Sequence, residues 1–116
     1  MAEGKGSGIA EEFGLRPEDL ERIREVFRRH PEVRQVKIFG SRATGLFEDA
    51  SDIDLALWGD LNPELMGRIL RELDELPLPY TFDVEAYATI RHPRLKRHVD
   101  EVGKILYGDQ SSAAPH

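Results

Sequence analysis

At 116 residues and 13.2 kDa, the chain is long enough for one hydrophobic core and too short for two. Hydrophobic residues make up 40% and charged residues 33%, the balance of a folded domain rather than of a disordered one. Lys and Arg number 16 against 22 Asp and Glu, a net charge of −6, which excludes general attraction to DNA or RNA and confines any phosphate contact to a local patch.

In chain order, residues 1–14 carry four glycines and no sustained period, and residues 109–116 are small and polar, so flexible ends are expected around a domain spanning 15–108. From Pro17 to His30, Leu20, Ile23, Val26 and Phe27 recur at helical spacing, and Glu18 and Asp19 suit the positive end of the helix dipole. His30 is expected to cap the negative end of that helix. Val36–Phe39 is a short β-prone run stopped by Gly40, so it reads as a strand running into the turn Gly40–Gly45. Residues 52–58 alternate and end at Gly59, predicting a second strand with Asp52 and Asp54 on one face. Asn62-Pro63-Glu64 is a helix start, followed by Leu65, Ile69, Leu73 and Leu76 on one face and stopped before Pro77. In residues 80–86, Phe82, Val84 and Ala86 fall on one side, opposite Thr81, Asp83 and Glu85, which predicts a third strand with an acidic face. Leu95, Val99, Val102, Ile105 and Leu106 predict a final amphipathic helix from Pro93, capped by Gly108. Alternating helices and strands with short connections imply an α/β fold of the two-layer α+β kind, a small mixed β-sheet covered by helices.

The chemistry concentrates in three aspartates. Alternate residues of a strand point the same way about 6.6 Å apart, so Asp52 and Asp54 can converge on one ion, with Asp83 on the neighbouring acidic strand as a third donor. Carboxylates with an ordinary pKa of about 3.9 are charged at pH 7 and repel one another unless a cation lies between them. A hard divalent ion such as Mg²⁺ suits that donor set, because it takes a few carboxylates and completes its shell with water and substrate phosphates. Taken alone, Asp-x-Asp is more often the solvent-facing edge of a strand. Gly40-Ser41 changes the weighing, because a Gly-Ser turn leaving a strand offers backbone N–H groups and a hydroxyl to a phosphate.

The combined pattern, Phe39-Gly40-Ser41, ten intervening residues, then Asp52-Ile53-Asp54-Leu55, resembles the signature of the DNA polymerase beta nucleotidyltransferase superfamily, and more narrowly its minimal nucleotidyltransferase (MNT) domains, often encoded beside a HEPN-domain partner. The resemblance implies a polymerase-beta-type fold, a two-metal Mg²⁺ site at Asp52, Asp54 and Asp83, and ATP as nucleotide substrate. It implies that Gly40 and Ser41 hold the β- and γ-phosphates and that Asp83 is the base; Arg42, beside the turn, is taken as a third nucleotide-binding residue. Relatives commonly carry arginine between Gly45 and Ser51, whereas this chain has Glu48 and Asp49, which repel a polyphosphate.

So small a chain has room for a nucleotide site but not for a second domain to clamp an acceptor, which points to a homo- or hetero-oligomer. The expectation is a nucleotidyltransferase moving AMP from ATP onto a hydroxyl of a HEPN-type toxin, and so an antitoxin acting as a protein adenylyltransferase. Two alternatives stay open: a non-catalytic antitoxin that binds its partner by occlusion, and a transferase for a small aminoglycoside-like molecule. No cysteine and no apolar run near the ~18 residues of a membrane span fit a soluble cytoplasmic protein with no membrane partner. The remaining candidates carry less. His92 and His98 lack zinc-ligand spacing, Trp58 reads as a core or rim aromatic, and Arg91, Arg94, Lys96 and Arg97 read as a solvated helix start before they read as a docking patch for an acidic partner.

Overall fold

The structure, a computed structural model, describes residues 13–44 and 52–108. Its elements are α1 (Pro17–Arg28), β1 (Val33–Phe39), the single helical turn α2 (Ser41–Thr44), β2 (Ile53–Gly59), α3 (Pro63–Asp74), β3 (Phe82–Ala86), a 3₁₀ turn (Tyr87–Thr89), α4 (Pro93–Val102) and β4 (Lys104–Tyr107). Four strands form one sheet in the order β3-β2-β1-β4. The β1–β2 and β1–β4 pairs are antiparallel and the β2–β3 pair is parallel, so the sheet is mixed.

The period-2 pattern of the strands decides which side faces which helix. Val36, Ile38, Leu55, Leu57 and Phe82 point to one face and meet Leu20, Ile23, Val26 and Phe27 of α1 and Leu65, Ile69 and Leu73 of α3 in the main core. Asn62 caps α3 by accepting the Leu65 N–H at 2.8 Å, and Pro63 occupies the first turn, as its sequence predicts. On the opposite face, Phe39 and Ala56 make a smaller cluster with Ile90 and with Val99 of α4. Thus α4 adds a partial third layer over the sheet.

Three expectations need correction. The final helix stops at Val102, and Ile105 and Leu106 belong to β4. Gly103 ends it, because a side chain there would press on the Val99 carbonyl and on Lys37, and the next four residues pair with β1 instead. Gly108, read as a helix cap, follows that strand with φ +101° against Arg34. His30 does not cap α1; its buried ring lies with Nε2 2.9 Å from Glu72 of α3, tying the two helices together. Phe13 and Leu15, ahead of α1, are also buried in the main core.

Candidate active site

Sheet register brings the acids together. Asp54 is paired with Phe39 of β1 on one side and with Asp83 of β3 on the other, so the Asp54 and Asp83 side chains stand next to each other on the face opposite α1 and α3. Asp52, just before β2, is exposed and adds a third carboxyl at the same end of the sheet. Asp54 is half-buried, and its carboxyl is held above the ordinary carboxylate range, first by loss of solvent and then by the charges of Asp83 and Asp52. Glu85, half-buried two residues after Asp83, pushes in the same direction.

The turn that follows β1 abuts this group. Gly40 has φ +80°, a conformation natural to glycine, and a Cβ there would overlap the Asp54 carboxylate. Its carbonyl accepts the N–H groups of Ala43 and Thr44 at 3.1 and 3.3 Å, which closes α2, and Ser41 opens that helical turn half-exposed. Strand, glycine turn and paired aspartates therefore form one continuous surface. Leu46 to Ala50, with the acidic pair Glu48 and Asp49, lie outside the described residues.

Arg42 departs from its expected place at the phosphate turn. Its side chain is wholly buried, donates to the Phe13 carbonyl at 2.9 Å, and lies 4.9 Å from the centre of the Tyr80 ring. A guanidinium enclosed in this way ties the glycine turn to the segment before α1. One residue that sequence reasoning passed over belongs at the site: His98 of α4 accepts the Gly40 N–H at its Nε2, 3.1 Å away, and its ring meets Phe39 edge-on. Elsewhere on the same face, Trp58 is half-buried and stacked on Tyr87 with ring centres 4.5 Å apart, consistent with a rim aromatic. Arg91, Arg94 and Arg97 are exposed, and the Lys96 ammonium covers Tyr87.

The donor set fits a hard divalent cation. It consists of carboxylate oxygens whose crowding raises Asp54, a strain that a positive ion relieves. Among the described residues, no group of three or more His, Cys, Asp or Glu side chains is gathered closely enough to hold a metal ion by itself. An open set of this kind leaves coordination positions for phosphate oxygens and water.

Comparisons with known proteins agree with this geometry. Solved structures that align with the chain include a toxin–antitoxin with AMP-PNP (TM-score 0.67, 24% identity, 80% of this chain and 76% of that one), a tri-AMPylated Shewanella oneidensis HEPN toxin in complex with MNT antitoxin (0.62, 22%, 81% and 73%), and the toxin–antitoxin MntA-HepT (0.61, 22%, 81% and 74%). At these identities they establish a shared fold. Among curated proteins, none matches the sequence significantly. The family model described as polymerase beta, nucleotidyltransferase matches residues 21–112, which takes in most of α1, the glycine turn and all three aspartates. The chain therefore belongs to the polymerase beta nucleotidyltransferase family.

Proposed function

We propose that this chain is an ATP-dependent adenylyltransferase that modifies a hydroxyl on a HEPN-type partner protein and thereby acts as an antitoxin. The observation that carries the reading is the register pairing of Asp54 with Asp83 directly beside the Gly40 turn. In this reading the Gly40 N–H and the Ser41 hydroxyl hold the β- and γ-phosphates, and Asp52, Asp54 and Asp83 hold Mg²⁺. The metal, when bound, neutralises the polyphosphate and stabilises charge on the attacking and leaving oxygens. Asp83 takes the proton of the acceptor hydroxyl, whose oxygen bonds to the α-phosphorus as the bond to pyrophosphate breaks.

The partner assignment draws on the fold shared with an MNT antitoxin in complex with a HEPN toxin. A cysteine-free chain that uses ATP and Mg²⁺ suits the cytosol, and no helix among the described residues is long and apolar enough to cross a membrane. Glu48 and Asp49 favour the alternative in which the partner is neutralised by occlusion, because their charge opposes a polyphosphate. Calorimetric titration with Mg²⁺ and AMP-PNP tests the nucleotide site: binding that needs the metal and is lost in Asp54→Asn supports catalysis, and no binding at millimolar nucleotide supports occlusion.

A further inference from the structure

We propose that His98 is a positioning residue of the phosphate turn, whose Nε2 takes the Gly40 N–H in the nucleotide-free protein and yields it to a phosphate oxygen when nucleotide binds. This rests on the assignment of Gly40 to the phosphates.

The Gly40 backbone has little freedom. Its carbonyl is committed to Ala43 and Thr44, and the Asp54 carboxylate fills the space beside it where a Cβ would stand. Its N–H is therefore aimed in a fixed direction, and in that direction stands His98 Nε2 at 3.1 Å, from a residue 58 positions away. The imidazole is half-buried beside the turn. Val99, beside it, is fully buried against the sheet, and Phe39 meets the ring edge-on at 6.1 Å and 77°. Accepting at Nε2 requires the lone pair there, so the ring proton is on Nδ1.

An N–H buried without a partner costs stability, and an apolar residue at position 98 would leave this one without its acceptor. An imidazole on the edge of a packed helix supplies one while leaving the turn intact, because a rotation of the side chain releases the N–H without moving the backbone. The turn is thereby held in its binding shape before nucleotide arrives. The consequence is a competition in which phosphate must displace His98, which lowers affinity for free nucleotide by the value of one hydrogen bond, about three- to tenfold.

The test has a structural and a thermodynamic arm. In the ¹⁵N-labelled, nucleotide-free chain, NMR should detect a through-hydrogen-bond coupling between Gly40 N and His98 Nε2, and saturation with Mg²⁺ and AMP-PNP should abolish it. His98→Phe, which keeps the ring and loses the acceptor, should bind AMP-PNP about three- to tenfold more tightly, and His98→Gln, which restores an acceptor, should return affinity to the parent value. A merely structural ring would weaken binding when replaced and would not be rescued by Gln. Absence of the coupling, its persistence at saturation, or equal or weaker binding by His98→Phe overturns the proposal. If neither the parent nor His98→Phe binds nucleotide, the phosphate assignment of Gly40 fails and carries this inference with it; binding with an unchanged coupling defeats the inference alone.

Discussion

Gly40 lies so close to Asp54 that a single methyl group on Gly40 would occupy the space of the Asp54 carboxylate. The contact joins the Gly40 turn to the Asp54 strand across the antiparallel β1–β2 pair, where Phe39 and Asp54 are register partners. Gly40→Ala must hold φ near +80° and displace Asp54. Chemical denaturation should show a loss of about 1–2 kcal/mol from the backbone alone, and AMP-PNP binding should weaken with it. An unchanged midpoint would mean that the turn relaxes without cost.

Asp54 predicts how stability responds to pH. Its folded-state carboxyl is raised above the unfolded value, chiefly by burial and then by Asp83 and Asp52, so the folded chain holds the proton more tightly. Stability from this group is therefore fully present below the unfolded pKa and declines as pH rises through the raised folded value. Asp54→Asn should melt above the metal-free parent at pH 7 and match it more closely at low pH. Mg²⁺ with AMP-PNP should narrow the neutral-pH gap, since a ligand of the folded state raises stability by mass action. Equal melting temperatures at pH 7 without metal would contradict the crowding of acids.

Arg42 separates structure from binding. Arg42→Met removes a buried guanidinium from the Phe13 carbonyl and from the Tyr80 ring, and should cost about 2 kcal/mol in unfolding free energy. Affinity for AMP-PNP in the folded variant should stay within about twofold, since 1.4 kcal/mol is needed for a tenfold change. A large loss of nucleotide affinity with full stability would return Arg42 to the phosphate site.

The site was legible where the chemistry is local in sequence. A strand, a glycine turn and an alternating Asp-x-Asp strand follow one another between Val33 and Gly59, and the acidic face of Phe82–Ala86 follows from a period of two. What sequence could not supply were contacts made by distant segments. Val102, Ile105 and Leu106 sit at i, i+3 and i+4, which is helical spacing, and only the pairing of β4 with β1 overrides it. Arg42 is next to the glycine turn in sequence, yet it is buried by the arrival of Phe13 and Gly14. His98 is a lone histidine with no ligand spacing, and its bond to Gly40 exists only because α4 crosses the sheet.

Asp83 distinguishes binding from chemistry. Asp83→Asn leaves Gly40, Ser41, Asp52 and Asp54 in place, so AMP-PNP should still bind. Transfer should fall by two orders of magnitude or more, because the acceptor proton loses its base. Loss of binding equal to the loss of rate would instead make Asp83 chiefly a ligand for the ground state.

The most direct measurement is the intact mass of a candidate HEPN-domain partner protein, after incubation with the chain, ATP and Mg²⁺. The account predicts a mass increase of one or more AMP units on that partner, absent with Asp52→Asn, Asp54→Asn or Asp83→Asn and absent when the metal is chelated. An unmodified partner that is nonetheless bound and fully inhibited would contradict it.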